Sequence, residues 1–562
     1  MLPLRVRLAQ MLETASKDPG VIRRLIGLAA VIVIVGGVVA SGGMTLNLRI
    51  GGSSGLTTAI AGDGGFTTVV GDDGEVIQVP VTGATSPAAG GAGATTPAGA
   101  ARATGTAAAA SAAGGGRSPS ATSPGATASA DAGGDRCAGA TLGAVDNGVT
   151  DTTVTVALLQ VELAALDALG FGLSTGDIDY PKILAAWEQA LNDGGGVACR
   201  QVRIIHEVTD LTLDGQLASC KRLTQDLKVA AVLAPGGLVG GAPCITKDNQ
   251  TPLVTALAAP EYWAREGAPY LWDVLMSQER VQLNHVQWLH DTGEITPSDT
   301  HVGVVYANEP YGGPSVEGAM IPKLRELGYS VRVGKLPYDT EQAAAQMAQV
   351  VLDFQTSGVN HVMMPVNIIY KTQFMQQAES QGYFPVYSED DATVGCQDFL
   401  TGTYPERSWD GTLCVGSGLL NGAPNGLRLE ELQAYYAQHP FAQKADALYL
   451  AANPEGYDNG GEAEEEDALA QQYTNYHLGA LVSLWAQAAN RVGPDLTRAA
   501  WGAAMMQTGE FHENVSPVPY TYAEGKTSGP DHIEIVQWHA AAGDGYDERT
   551  YRRVSDRIKS PH

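Results

Sequence analysis

Three acids in a row, Glu389-Asp390-Asp391, follow an apolar run that ends at Ser388, and Tyr311 lies in the stretch Tyr306-Ala-Asn-Glu-Pro-Tyr-Gly-Gly313. At neutral pH a carboxylate offers only acceptors, so the acids suit a cation or an amine, while a tyrosine ring gives an apolar wall with a polar tip. A solvated turn for the acids and plain packing for the tyrosine are the structural alternatives. Other chemistry-bearing patterns lack the elements their chemistry needs. Gly172-Leu-Ser-Thr-Gly176 has the G-x-S-x-G spacing of a hydrolase nucleophile, which requires a strand directly before the serine and a helix directly after it. Here the preceding apolar run ends near Gln160, and Asp177-Ile-Asp-Tyr-Pro181 follows. His206-Glu207 has no second histidine at helical spacing. Glu462-Ala-Glu-Glu-Glu-Asp467 lacks the alternating oxygen spacing of a calcium loop and suits the positive end of a helix. With no P-loop and no dinucleotide-binding glycine fingerprint, no catalysis, cofactor or metal is expected.

The acids and the tyrosine must be positioned by the segment from His301 to Tyr387, where short apolar runs alternate with helical period in three successive units. Val302–Tyr306 reads as a buried strand, Val316, Met320, Leu324 and Leu327 recur at helical spacing, and Gly328 stops that helix. The pattern repeats at Val331–Leu336 and at His361–Pro365, each followed by a helix. Strands separated by a helix are parallel, because the crossover is right-handed and the helix covers one face of the sheet. An earlier α/β lobe is expected from strands at Thr153–Leu159, Gln201–Val208, Val229–Ala234 and Pro252–Ala256. Past residue 393 helices around Leu427–Gln438 and Leu469–Arg491 dominate, before a final strand at His532–Trp538.

The N-terminus places this pair of lobes outside the cell. Residues 1–24 carry a net charge of +3, and no charge appears from Leu25 to Leu48. As a helix that run spans roughly 36 Å, enough for a bilayer, with its basic flank in the cytoplasm. The competing reading is a cleaved signal peptide, with small residues at Val38-Val39-Ala40. From Thr82 to Ala130 the composition collapses to Ala, Gly, Ser, Thr and Pro with only Arg102 and Arg117 charged, which makes a disordered linker with a reach of roughly 40 Å. The whole-chain charge of −27 leaves −30 on the exported part, which repels nucleic acid. Six cysteines, Cys137, Cys199, Cys220, Cys244, Cys396 and Cys414, none in a CxxC pair, fit disulfides in an oxidising compartment. Fifteen pairings are open to them, and sequence order favours 137–199, 220–244 and 396–414.

Gly148-Val-Thr-Asp-Thr-Thr-Val-Thr-Val156 resembles the opening strand of type I periplasmic binding proteins, in particular the branched-chain amino acid receptors of ABC importers. Asn192–Val197, the strand end at Glu207–Asp210, Tyr306–Gly313 and the late segments Tyr473–Ala480 and Asp495–Arg498 are similar to the same family in order and spacing. The resemblance covers about 148–540. It implies two doubly wound α/β lobes joined at a hinge, preceded by one transmembrane or signal helix (25–48) and a linker (49–136). The first lobe is expected to comprise 137–275 and 393–510, the second 276–392 and 511–545, with 546–562 as a tail.

In this fold ligands sit between lobes, at loops after the carboxyl ends of strands. Four loops qualify: Pro235–Gly240, Thr255–Pro260, Asn308–Gly313 and Ser388–Asp391. Family receptors for amino acids hold the ligand carboxylate with small hydroxylated residues and its ammonium with an acid. Here Gly236, Gly237 and Ala258 stand where Ser or Thr is expected, with Thr255 and Ala256 nearby, which weakens the carboxylate side and leaves backbone N–H groups as its anion donors, and Tyr311, Glu389 and Asp390 are the candidates for an amine. The expected function is an exported receptor that captures a small polar solute and delivers it to an ABC permease and its ATPase. The alternative is a membrane-tethered sensor with the same fold and no transport partner.

Overall fold

The computed structural model describes residues 66–70, 76–80 and 137–561, with gaps at 163–177, 418–439, 458–464, 512–519 and several shorter places. The expected membrane segment, the G-x-S-x-G motif and the helix expected at 427–438 lie outside the described residues, as does the linker apart from one hairpin. No helix among the described residues is long and apolar enough to cross a membrane. The hairpin pairs β1 (Phe66–Val70) antiparallel with β2 (Val76–Pro80) and belongs to a separate unit, Met1–Ala126; everything below concerns the unit Thr127–His562.

The first sheet has five parallel strands in the order β4-β3-β5-β6-β7: β3 (Thr153–Val161), β4 (Gln201–Thr209), β5 (Ala231–Ala234), β6 (Leu253–Thr255) and β7 (Leu271–Asp273). Near-continuous apolar runs form β3, β5 and β6, as suits strands covered on both faces, while β4 at the sheet edge mixes buried and exposed positions. Helix α1 (Tyr180–Asp193) starts where the Asp179 carboxylate accepts from Lys182 N, and α2 (Leu213–Lys221) where the Thr212 hydroxyl accepts from Gly215 N. The short helix α3 (Glu261–Glu266) follows β6, and α4 (Gln278–Thr292) follows β7 and ends at Gly293, φ 79°.

The second sheet runs β16-β15-β12-β11-β10-β8-β9, with β17 (Ile558–Lys559) paired to β15. Its parallel part is β8 (His301–Ala307), β9 (Ser330–Leu336), β10 (His361–Met363), β11 (Val386–Asp390) and β12 (Leu413–Gly416). Helix α5 (Thr340–Thr356) is capped by Asp339 and α6 (Ile368–Ser380) by Asn367. The long helix α8 (Glu465–Val492), after α7 (Pro440–Ala452), packs Leu478, Leu481 and Trp485 into the core of the first sheet, where the Trp187 indole donates to Asn475 Oδ1 at 2.8 Å. Helix α9 (Arg498–Met505) packs beside it, and the hairpin β13 (Gly509–Phe511) and β14 (Tyr520–Tyr522) leads back to the second sheet. There β15 (His532–His539) and β16 (Thr550–Arg553) add antiparallel strands.

Two placements differ from the sequence expectation. Residues 413–416, grouped with the first lobe, form β12 in the second sheet, between β11 and β15. Residues 550–559, expected as part of a tail, pair with β15. In both, strand partners distant in sequence decide the outcome: paired between β11 and β15, Cys414 and Val415 are buried in two different apolar clusters. The cysteines pair 137–199, 220–244 and 396–414, with Cα separations of 5.4, 6.3 and 5.9 Å.

Candidate ligand-binding cleft

Strand order fixes where a ligand can enter. In the first sheet the chain leaves β3 for β4 on one side and β5 on the other; in the second, β8 is flanked by β9 and β10. Such switch points open a crevice at the carboxyl ends of the strands. The loop after β5 therefore lines one wall of the cleft and the loop after β8 the other.

On the first wall Gly236 and Gly237 adopt φ 149° and 78°, and a Cβ on Gly237 would sit 2.9 Å from the Val161 side chain, so only glycine lets this loop lie against β3. Gln216 of α2 clamps it from behind: its amide donates to Gly237 O at 3.0 Å and its oxygen accepts from Gly240 N and Gly241 N. The amides of Gly236 and Gly237 have no protein acceptor among the described residues. They are two unengaged donors at this wall. The Thr255 hydroxyl is unsuited to that role, because it donates to Ala234 O at 3.0 Å within the sheet.

The next loop hangs on Asp273. Its carboxylate accepts from Leu257 N, Ala259 N and Leu275 N at 3.3, 2.7 and 2.8 Å, and between the first two donors Ala258 is held at φ 53°, with Ala256 buried just before. Burial pushes Asp273 up to about 7, against the pull of those three N–H groups.

Tyr311 reaches across from the second wall. Its hydroxyl donates to Leu257 O, with Ala392 O 3.4 Å away, and its ring packs on Trp263 of α3 with centroids 5.5 Å apart. Tyr262 donates to Pro310 O in the same seam. The loop 308–313 and the loop 256–260 are thus brought together as the sequence suggested, with Tyr311 as the link.

The acidic run is placed differently from a loop. Glu389 and Asp390 end β11 itself, so their side chains alternate between faces and each finds a partner inside the second lobe. Lys371 of α6 lies 2.8 Å from Glu389, with the two side chains 0% and 1% exposed. Burial pushes Glu389 up while Lys371 pulls it down. Asp390 lies 3.4 Å from His285 of α4 and accepts from Ala392 N at 3.1 Å. Asp391, raised to about 7 by burial, accepts from Ser417 N at 2.7 Å. Ser388 Oγ sits 2.9 Å from His285 Nε2 and 2.7 Å from His361 Nε2, and burial drops His361 to about 3, with His285 adding to it. Ser388, His285 and Asp390 thus line up as hydroxyl, imidazole and carboxylate, but each is 1% exposed, so no substrate meets them.

Glu309, missed by the sequence reading, is a buried acid next to Tyr311 whose carboxylate has no protein partner among the described residues. It sits in the loop after β8, it is 7% exposed, and burial alone pushes it up to about 7. The signal available in the sequence was its position, two residues before Tyr311 at a strand's carboxyl end. Among the described residues no group of His, Cys, Asp and Glu is arranged to hold a metal ion.

No family model and no curated protein matches the sequence. Solved structures do. A fatty acid ABC transporter substrate-binding protein from Thermomonospora curvata is 16% identical, with a TM-score of 0.52 over 74% of this chain and 95% of its own. A branched-chain amino acid ABC transporter protein from Thermus thermophilus with bound valine and a solute-binding protein from R. palustris in complex with 4-hydroxybenzoate are each 12% identical, with a TM-score of 0.51 over 73% of this chain and 97% of theirs. At such identities the likeness is one of architecture. The chain has the type I periplasmic binding fold in which these ABC-transporter substrate-binding proteins are built.

Proposed function

We propose that the chain is an exported, membrane-tethered solute receptor that closes its two lobes on a small polar solute and hands it to an ABC permease with its ATPase. The observation that carries this is the seam between the lobes, where Tyr311 of the loop after β8 donates to Leu257 O of the loop after β6, with free backbone donors at Gly236 and Gly237 after β5 and, after β8, Glu309 without a protein partner among the described residues. Closure desolvates the solute and presents a joined surface that a permease can recognise. The neighbours in fold support a receptor; the solutes they carry are their own. The ligand class is tested by melting the full chain against amines, amino acids, aromatic acids and fatty acids. A ligand at a hundred times its Kd adds about 2.7 kcal/mol to the folded state, so one class should raise the melting temperature in proportion to log concentration. If no class does so, the receptor assignment is lost.

The tether rests on the charge-free run 25–48 behind a basic segment. Protease added to intact cells should cut within 82–130 and release a soluble receptor while the basic N-terminus stays protected. A mature chain that begins at Ser41 would instead mean a cleaved signal and a free receptor.

A further inference from the structure

We propose that Lys526 is a built-in cation of the interlobe hinge: its ammonium holds together the backbone where two of the chain's crossings meet and, through Asp273, sets how freely the cleft loop 256–260 moves. This rests on the receptor reading for its purpose, but it is tested on the ligand-free chain. The chain leaves the first sheet at Asp273, the end of β7, for α4, which packs on β11 and β12 of the second sheet; it reaches the second sheet again on passing from β14 to β15. The second passage starts on the first lobe, where the Tyr522 ring of β14 meets Trp272 of β7 with centroids 6.0 Å apart. These two crossings touch. Asp273 and Ser528 form a parallel bridge, in which Asp273 N donates to Thr527 O at 2.9 Å and Gly529 N to Asp273 O at 3.0 Å, and the Tyr522 hydroxyl donates to the same oxygen at 3.1 Å. A Cβ on Gly529 would sit 2.5 Å from that hydroxyl, so glycine is what lets the strands lie this close.

A tight turn folds Lys526 back into this junction. Ala523 and Lys526 exchange backbone hydrogen bonds at 3.1 and 3.0 Å across Glu524-Gly525, with Gly525 at φ 76°. The ammonium then donates to Thr521 O, and to Ser528 O and Gly529 O at 3.0 Å each, with Asp531 Oδ1 at 3.2 Å. Three carbonyls and a carboxylate converging on one point are the donor set of a bound cation, and here the chain supplies the cation itself. Arg280 of α4 closes the ring from the first crossing: it donates to Ser528 Oγ at 3.1 Å and lies 3.4 Å from Asp531 Oδ1, while Asp531 Oδ2 accepts from the Thr521 hydroxyl at 2.6 Å. Burial lowers Lys526 to about 8 against the pull of Asp531, with Arg280 adding to the fall, so it is still an ammonium at pH 7. Asp273 carries the restraint to the cleft. Its backbone is held by residues 527–529, and its carboxylate holds Leu257 N and Ala259 N, in the loop whose Leu257 O takes the Tyr311 hydroxyl from the other lobe. Among the described residues Lys526 makes no hydrogen bond to 256–260, so its effect on that loop must pass through Asp273.

The test is hydrogen exchange, followed by mass spectrometry of peptides, on the ligand-free full chain and on Lys526→Met, Lys526→Arg and Lys526→Ala. Lys526→Met is expected to speed exchange about tenfold or more in the peptides carrying Asp273 and Gly529 and also in the one carrying Leu257 and Ala259, while β8 and β10 keep their natural rates. Lys526→Arg, which keeps the charge, should lie between. In Lys526→Ala, n-propylammonium chloride can refill the place of the lost side chain, of which 29% is open to solvent, and should restore slow exchange at both places. Tetramethylammonium chloride at the same ionic strength has no N–H and should restore nothing. Faster exchange confined to 521–531 overturns the coupling through Asp273, and faster exchange throughout the chain makes Lys526 a general prop and overturns it too. Restoration by both salts or by neither overturns the built-in cation, as does a Lys526→Met chain that exchanges like the natural one. None of these outcomes involves a solute, so a ligand panel without a binder removes the receptor reading and leaves the hinge result to be judged by itself.

Discussion

Replacing Lys371 with Met is expected to cost about 3–5 kcal/mol of folding stability at pH 8, because it leaves the Glu389 carboxylate inside the second lobe without its cation. The two groups lie 2.8 Å apart with essentially no exposure, so solvent cannot take over the role of either. Glu389 has one route of escape. It can bind a proton, a change that burial already favours, so the loss should shrink as the solution is acidified toward pH 5. The double variant Lys371→Met, Glu389→Leu should recover most of the stability, since an apolar pair of similar volume suits the site about as well as an ion pair does. Denaturant unfolding of the three variants and the natural chain measures this directly. Equal stability of Lys371→Met and the natural chain at pH 8 would mean that the pair is not buried as described.

Acidification from pH 8 to pH 5 is expected to raise the melting temperature by a few degrees. Asp273, Asp391 and Glu309 are each raised to about 7, by burial in every case, from unfolded values near 4. A carboxyl with a raised pKa holds its proton in the folded state, so its contribution is complete below pH 4 and is lost as pH rises through 7. His361 works the other way. Its folded value of about 3 lies below the unfolded 6.5, so its contribution is complete above 6.5 and declines as pH falls toward 3. Three carboxyls outweigh one imidazole between pH 5 and 7, and partial neutralisation of a chain with net charge −27 acts in the same direction. Glu309→Gln should flatten the dependence and raise stability at pH 8. A melting temperature that falls on going from pH 8 to pH 5, at matched ionic strength, contradicts the assignment of these buried acids.

What could be read in advance follows from how local each cause is. The runs at Thr153–Val161 and His301–Ala307 are apolar and uninterrupted, so they are legible as buried parallel strands from their own residues, and the seam at Tyr311 follows from its place after the second of them. Ser388-Glu389-Asp390 looked like a loop because a polar run seldom fills the interior of a sheet. It does so here because Lys371, His285 and His361 arrive from three other elements to meet it, an arrangement that no local window contains. The membership of β12 in the second sheet depends likewise on β15, which lies more than a hundred residues later. Glu309 left no mark of its own, since its significance comes from burial without a partner.

The receptor function requires that a solute be enclosed between the two sheets at their switch points. A crystal structure of the full chain grown with the best binder from the ligand panel tests it most directly. The solute is expected between the loops 235–240 and 256–260 on one side and 308–313 on the other, within hydrogen-bond reach of the Gly236 or Gly237 amide and of Glu309. A saturating solute bound anywhere else, with those loops unchanged and the cleft between them empty, would contradict it.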